Sequence, residues 1–149
     1  MVRPAAPARA CPLCAGDGGT LLVRREAWRV VLADDVDYPA FTRVIWNAHV
    51  AEMSDLPAAQ REELMRVVLA VEAVQRELLS PDKINLASFG NVVPHLHWHV
   101  IPRWRDDRHF PEPVWGAAAP GREAAVQARR DAVAGRLDAY VRALRDRLA

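Results

Sequence analysis

Apolar and polar residues alternate along the chain with two different periods, and each change of period marks a change of secondary structure. Short runs of β-branched and aromatic residues predict four strands, over 21–23, 28–32, 42–46 and 84–89. Gly90 and Asn91 then predict a turn. Residues 95–100 alternate strictly between polar and apolar side chains, and the stretch 94–103 that contains them predicts a fifth strand.

Helical spacing occupies the stretch between the third and fourth predicted strands. Its apolar residues recur every three or four positions, at Leu64, Val67, Val68, Val71, Val74 and Leu78. This spacing predicts one long helix, which has Pro57 near its first turn and ends at about Leu79. Residues 104–121 are rich in Pro and Gly and predict an irregular segment, whereas 122–149 predict one amphipathic C-terminal helix.

The order of these elements favours an α+β fold, because the strands cluster around one long helix without regular β-α-β alternation. We expect an antiparallel sheet of about five strands with the long helix packed on it, plus the C-terminal helix. We expect a single domain over 1–149. Its parts are a loose tail over 1–10, a core over 11–103, the irregular segment over 104–121 and the terminal helix over 122–149.

The charge balance limits the classes of partner. Lys and Arg together number 20 and Asp and Glu number 19, so a broad electrostatic surface for nucleic acid or an anionic membrane is not expected. No apolar run is long enough to span a bilayer, and residues 1–10 lack the apolar region of a secretory signal. A cytoplasmic protein is therefore the expectation.

A row of three histidines is the main chemical feature of the sequence. In an extended strand, alternation places the row on one face and the intervening apolar residues on the other, in the core. The row is His95, His97 and His99, and the apolar residues are Leu96, Trp98 and Val100. A core strand has no packing reason to carry three histidines within five residues, so the row is the candidate reactive site.

The middle imidazole is the candidate nucleophile. An imidazole can attack an electrophile such as phosphorus with one nitrogen while its other nitrogen donates a hydrogen bond that fixes the tautomer. His97 takes that role in this interpretation, and His99 can bond phosphoryl oxygens from the same face. Gly90 allows close approach of the backbone to a phosphate, and Asn91 and Asn85 offer amides for substrate oxygens.

The pattern over 95–101 is His-φ-His-φ-His-φ-φ, where φ is apolar, and in this it resembles the histidine triad (HIT) superfamily. The resemblance extends over residues 11 to 103. It implies an antiparallel sheet with a packed helix, paired with a second copy in a homodimer. It also implies hydrolysis or transfer at the α-phosphate of a dinucleoside polyphosphate or nucleoside phosphoramidate, through a nucleotidyl-histidine intermediate and without a metal in the chemical step.

The resemblance also implies roles for single residues. The second histidine of the triad is the nucleophile, which is His97, and the third contacts phosphate, which is His99. The amide before the triad contacts phosphate and corresponds to Asn91, and Asn85 corresponds to an asparagine near the ribose or phosphate. This sequence departs from the family pattern at four positions: Ala40 and Phe41 stand at a Gly-His place, Trp46 at a proline place and Val92 at a serine or threonine place.

Cys11 and Cys14 form one Cys-x2-Cys pair, a spacing that lets both thiols bind one metal ion. His49 and His95 are the candidates for two further ligands. The resemblance includes family branches, such as the galactose-phosphate uridylyltransferases, in which such a pair joins two histidines. The implied zinc is structural, because four protein ligands leave no position for water. A free thiol pair and a redox pair are the competing interpretations.

Two other functions remain open at the level of sequence. In the first, the three histidines of the row bind a catalytic zinc themselves, which leaves the two cysteines unexplained. In the second, the protein is a nucleotide sensor or scaffold that binds without turnover.

Overall fold

Five antiparallel strands form one open sheet in the computed structural model, which describes residues 8–149. The strands are β1 (Thr20–Arg24), β2 (Trp28–Leu32), β3 (Thr42–Trp46), β4 (Lys83–Ala87) and β5 (His97–Arg103). Their order across the sheet is β1-β2-β3-β5-β4, and every neighbouring pair is antiparallel. The histidine strand thus lies inside the sheet between β3 and β4.

Within residues 8–149, four α-helices accompany the sheet: α1 (Pro12–Ala15), α2 (Ala58–Leu79), α3 (Glu123–Ala134) and α4 (Leu137–Arg147). The predicted α+β fold with one long helix is confirmed. The prediction of a single C-terminal helix over 122–149 is wrong, because the segment is divided at Gly135 and Arg136. Glycine has a low helix propensity, and the break lets α4 pack against α2 with Tyr140 and Leu144 fully buried.

The strand that carries the histidines is shorter than predicted at its N-terminal end. It starts at His97, because the backbone N–H of His95 donates to the carbonyl of Val93 and that of Leu96 donates to the carbonyl of Val50. The predicted tail over 1–10 lies largely outside the described residues, and Ala8–Ala10 form one 3-10 turn. No helix over residues 8–149 has the length and apolarity needed to cross a membrane.

The main hydrophobic core lies between α2 and one face of the sheet. Leu96 and Val100 are buried in it and Trp98 packs against it, as the alternation predicts. The Gln75 side chain of α2 is also fully buried here, and its amide nitrogen donates to the carbonyl of Val100 at 3.0 Å and to that of Ala40 at 3.1 Å.

The opposite face, called the distal face below, carries the histidines. Cross-strand register pairs His97 with Ile45 and His99 with Arg43. Ile45 packs beneath the N-terminal knuckle (residues 11–19), and Ile101 packs beneath Tyr38 and Phe41. The knuckle and the loop before β3 therefore flank the two imidazoles on this face. Gly19 allows the knuckle to run close to β2, since a Cβ there would lie 1.9 Å from the carbonyl oxygen of Leu32.

A buried ion pair anchors the irregular segment over 104–121. The side chains of Arg103 and Asp107 are 2% and 3% exposed, and their Nε and Oδ2 atoms are 2.7 Å apart. The carboxylate also accepts hydrogen bonds from the Tyr38 hydroxyl and from three backbone N–H groups, those of Trp104, His109 and Phe110. Burial alone would raise the pKa of Asp107, but the hydrogen bonds from Arg103 and the backbone hold it below its ordinary value.

We expect Asp107→Ala to lower the free energy of unfolding by about 3–5 kcal/mol, because it leaves the guanidinium of Arg103 buried without its counter-ion. Urea denaturation measures the loss. The matched control is Glu77→Ala, which breaks the exposed ion pair to Arg147 and is expected to cost about 0.5 kcal/mol or less. Equal costs for the two variants would contradict the anchoring role of Asp107.

Candidate functional site

A cavity of about 400 Å³ opens on the distal face beside β5. Its walls are the loop over 89–93, His97 and His99 from β5, and Trp115 from the irregular segment. The loop follows β4 and turns at Gly90, whose φ of 75° lies in the left-handed region that glycine adopts without strain. Ser88 ties the loop to the histidine strand, because its hydroxyl donates to the carbonyl of His97 at 2.7 Å.

His97 is held as a neutral imidazole of defined tautomer. Its Nδ1 lies 2.5 Å from the carbonyl oxygen of His95, and a carbonyl only accepts, so Nδ1 carries the hydrogen. The lone pair is thereby left on Nε2, the atom on the other side of the ring. Burial lowers the pKa of His97 below its ordinary value, which keeps the ring neutral and nucleophilic near pH 7.

His99 lies on the same face as His97, with ring centroids 4.9 Å apart. It is 7% exposed, and the edge of Phe41 meets its ring at a centroid distance of 5.4 Å. Its buried Nδ1 has no hydrogen-bond partner among residues 8–149. Burial, with smaller contributions from His97 and Arg43, lowers the pKa of His99 to about 3. His99 is therefore a neutral group at the cavity wall.

This pKa predicts a pH dependence of stability. The unfolded chain binds a proton at His99 near pH 6.5, which the folded chain does not bind until about pH 3, so acidification favours unfolding. Between pH 7 and pH 5, we expect the protein to lose about 2 kcal/mol more of its unfolding free energy than His99→Gln. Urea denaturation of both proteins at the two pH values measures this difference. Parallel losses in the two proteins would show that His99 is not shielded from protons.

The structure gathers only part of the predicted substrate site. Gly90 and Asn91 lie on the cavity wall with His97 and His99. Asn85 does not line this cavity, because its amide oxygen accepts a hydrogen bond from Nη1 of Arg103 at 2.7 Å. It lines an adjacent groove along β4 that shares Phe89 and Trp115 with the cavity.

A second cluster can hold a metal ion. The ligand atoms of Cys11, Cys14, His49 and His95 all lie within 4.8 Å of one another. Nδ1 of His95 is 3.5 Å from each sulfur and 3.2 Å from Nδ1 of His49, which is itself 3.3 Å from Sγ of Cys14. A tetrahedral zinc with sulfur at about 2.3 Å and nitrogen at about 2.0–2.1 Å needs roughly 3.3–3.8 Å between ligand atoms. The donor set and its spacing therefore fit zinc.

Surrounding hydrogen bonds orient the ligands of this cluster. Nε2 of His95 donates to the carbonyl of Trp46 at 2.6 Å, which leaves the lone pair of Nδ1 directed at the cluster. Arg29 is 3% exposed and donates to three knuckle carbonyls, those of Leu13, Gly16 and Asp17. Its Nη1 also donates to Asn47, two residues before His49. Arg29 thus fixes the knuckle against the strand end that carries a ligand histidine.

His95 connects the two sites. Its ring belongs to the metal cluster, and its carbonyl accepts the hydrogen bond that fixes His97. Among residues 8–149, the cluster with metal-ligand spacing includes His95 but neither His97 nor His99. The three histidines therefore belong to two sites, His95 to the metal cluster and His97 and His99 to the cavity, and do not converge on one ion.

Two aromatic residues at the cavity are not identified as site residues by the sequence. The sequence pattern places Phe89 at the end of the predicted strand over 84–89 and Trp115 in the irregular segment over 104–121. Phe89 is 60% exposed and Trp115 is 53% exposed. The sequence feature that could identify them as site residues is the presence of large aromatic side chains in segments otherwise rich in Gly and Pro.

Comparison with known proteins gives one family. The family profile described as "HIT domain" matches residues 19–106. Two curated relatives, from two strains of Mycobacterium tuberculosis and both named AP-4-A phosphorylase, are 27% identical over 113 residues. The match covers 72% of this chain and 58% of theirs, so the chain spans little more than half the length of these relatives.

Solved structures show the same fold. A histidine triad protein from Bradyrhizobium japonicum is 27% identical, with a TM-score of 0.69 over 89% of this chain and 92% of that one. A zinc-bound histidine triad family protein from Mycobacterium smegmatis is 25% identical, with a TM-score of 0.56 over 89% of this chain and 99% of that one.

Proposed function

Because the chain belongs to the HIT domain family, we propose that it hydrolyses or transfers a nucleotidyl group at the α-phosphate of a nucleotide conjugate. The observation that carries this proposal is the tautomer of His97, whose Nδ1 is bound to the carbonyl of His95 and whose Nε2 is left to attack from the cavity wall. The substrate is a dinucleoside polyphosphate or a nucleoside phosphoramidate. The names of the Mycobacterium tuberculosis relatives support nucleotide chemistry of this kind.

The reaction proceeds in two displacements. The Nε2 lone pair of His97 forms a bond to the α-phosphorus while the bond from phosphorus to the leaving group breaks, and the leaving group takes up a proton. An acceptor then attacks the phosphorus, the P–N bond breaks, and its electron pair returns to Nε2. Hydrolysis results if the acceptor is water, which loses a proton in this step, and transfer results if it is a second nucleophile.

Three other residues of the cavity lining, His99, Gly90 and Asn91, bind the phosphoryl group in this proposal. His99, neutral at pH 7, donates its ring N–H to a phosphoryl oxygen. Gly90 and Asn91 offer a backbone and a side-chain amide from the loop over 89–93. Asn85 is held by Arg103 outside the cavity, so it contributes through the adjacent groove or through the position of β4.

The metal cluster is proposed as a structural zinc site of Cys11, Cys14, His49 and His95. When bound, the zinc supplies a cross-link between the knuckle and the sheet, and its four protein ligands leave it no part in the reaction. The zinc-bound relative from Mycobacterium smegmatis supports the choice of metal. A thiol pair available to zinc also fits a reducing, cytoplasmic compartment.

The proposal includes a homodimer, as the resemblance implies. β4 lies at an edge of the sheet, where its outer backbone groups are free of a strand partner among residues 8–149. Such an edge can pair with the same strand of a second copy.

A single-turnover experiment tests the proposed function. The protein is mixed in excess with an adenosine 5′-phosphoramidate or a diadenosine polyphosphate, each labelled at the α-phosphate, and is quenched in alkali, where a phosphorus–histidine bond survives best. We expect label on the protein before label in free AMP. Product without labelled protein would contradict the covalent step. Binding without product would instead support a nucleotide sensor.

A further inference from the structure

Phe89 and Trp115 form a two-walled aromatic corner at the mouth of the cavity. Their ring centroids are 5.1 Å apart and their planes are nearly perpendicular, at 86°. Both residues line the cavity, and each is more than half exposed, so both are accessible to a ligand. Both also border the adjacent groove along β4, so the corner lies where the two openings meet.

Trp115 is set apart from the other tryptophans of the chain. Trp28, Trp46 and Trp104 are at most 6% exposed and pack in the core, and Trp98 is partly buried against it, whereas Trp115 is 53% exposed. Its ring meets that of His99 at a centroid distance of 5.1 Å and that of Phe41 at 6.3 Å. The segment that carries it is anchored upstream by the buried ion pair described above. The fold thus holds a large apolar ring at the cavity mouth, where solvent contact is unfavourable.

We propose that the aromatic corner of Phe89 and Trp115 binds the nucleobase of the transferred nucleotide. This inference rests on the proposed function, since it names the part of the substrate that the corner receives. A flat ring that stacks on one wall meets the other wall edge-on, which is a favourable geometry for both contacts. The ring centroid of His99 lies 5.1 Å from that of Trp115 and 4.9 Å from that of His97, so a base in the corner can leave its own phosphate at the nucleophile.

The polarity of the cavity walls predicts which nucleobases the corner accepts. In the described part of the chain, no Asp, Glu, Lys or Arg side chain lines the cavity. Asn91, the two imidazoles and the indole N–H of Trp115 are the polar side-chain groups of the lining, and the imidazoles are assigned to phosphate chemistry. Stacking on aromatic rings is tolerant of base identity, because every base has a π face. The corner is therefore expected to accept adenine, guanine and the pyrimidines with affinities within about tenfold of one another.

Equilibrium binding of two probes tests the corner without turnover. AMP and ribose 5-phosphate carry the same phosphate and sugar, and only AMP carries a base. Calorimetry with Trp115→Ala is expected to show AMP affinity lowered about 5- to 100-fold, with ribose 5-phosphate affinity within about twofold of the parent protein. Trp115→Phe, which keeps a stacking ring, is expected to recover most of the AMP affinity. The matched control is Leu69→Ala, at another 53% exposed apolar residue, on α2 and outside the cavity, and it should change neither affinity.

Three outcomes overturn the inference. One is an equal loss of affinity for both probes in Trp115→Ala, which would mean that Trp115 supports His99 and not a base. Another is unchanged AMP affinity in that variant. If Trp115→Ala fails to fold, Phe89→Ala replaces it under the same criteria, and quenching of tryptophan fluorescence by AMP is compared between the parent protein and Trp115→Phe. Equal quenching of those two proteins is the third outcome.

The same variants separate this inference from the proposed function. If nucleoside phosphoramidates are turned over, Trp115→Ala should raise KM about 5- to 100-fold with kcat nearly unchanged, since stacking is present before and during the reaction. If the parent protein turns over no nucleotide, the proposed function fails. The difference between AMP and ribose 5-phosphate then still decides whether the corner binds a base.

Discussion

Replacing His97 with alanine is expected to lower kcat for a nucleoside phosphoramidate by at least about 1,000-fold, while AMP still binds within a few-fold of the parent protein. The reason is that the methyl side chain of alanine offers no lone pair to phosphorus, whereas the loop over 89–93, His99 and the aromatic corner remain to bind the nucleotide. Steady-state kinetics measure the first quantity and calorimetry with AMP measures the second. In the single-turnover experiment, the variant should carry no label.

Imidazole rescue distinguishes a lost nucleophile from a damaged fold. His97→Gly leaves a space of the size of the missing ring, and added imidazole can occupy it and attack phosphorus in its place. Turnover should rise with imidazole concentration in His97→Gly and stay unchanged in the parent protein. Full activity of His97→Ala would remove His97 from the chemistry altogether.

Replacing Cys14 with serine is expected to abolish stoichiometric zinc binding and to lower the melting temperature by about 8–16 °C. The range follows from a stabilisation of about 4 kcal/mol by a ligand present at a thousand times its Kd, and from about 2–4 °C per kcal/mol for a chain of this size. Cys14 is the more exposed of the two thiols, so its replacement disturbs packing less than that of Cys11. Metal analysis of the purified protein and thermal unfolding measure the two effects.

Two further measurements sharpen this test. Cobalt in the parent protein should give the absorption of a tetrahedral thiolate site, and Cys14→Ser should not reproduce it. The matched control is Ala15→Ser, at an exposed neighbour that is not a ligand, and it should keep both the metal and the melting temperature. An unchanged metal content in Cys14→Ser would contradict the proposed ligand set.

Loss of the metal should also disturb the orientation of His97, the proposed nucleophile. The His95 ring is held by the cluster and by the carbonyl of Trp46, and its own carbonyl fixes the tautomer of His97. A chelator is therefore expected to reduce activity only as fast as the metal leaves and the knuckle loosens. Immediate inhibition before metal release would instead indicate a metal in the reaction, as in the hypothesis of a catalytic zinc.

The strands and the long helix were predictable from sequence because local patterns determine them. Leu96, Trp98 and Val100 alternate with polar residues, and the sheet has one face packed on α2, so the period alone assigns their face. The start of the histidine strand was not predictable. It depends on where the N–H groups of His95 and Leu96 find their acceptors, and the acceptor of Leu96 is Val50, on a distant loop.

The residues of the candidate site were predictable only where they belong to a recognisable sequence motif. Alternating histidines and a Cys-x2-Cys pair are short patterns whose chemistry can be interpreted without coordinates. Arg103 and Asn85 are 18 positions apart, and the hydrogen bond from Tyr38 to Asp107 joins residues 69 positions apart, so neither contact follows from a local pattern. The same holds for the aromatic corner, since Phe89 and Trp115 meet only after the segment folds back over β5.

The buried amide of Gln75 has a consequence for the fidelity of strand alignment. It donates from α2 to the carbonyl of Val100, the residue directly after His99. A slip of β5 by one residue would turn the imidazoles into the hydrocarbon interior and the apolar side chains outward, since strand side chains repeat every two residues. Such a slip would also remove the Val100 carbonyl from the amide nitrogen of Gln75. The lost hydrogen bond from this one helix side chain would make the misaligned sheet less stable.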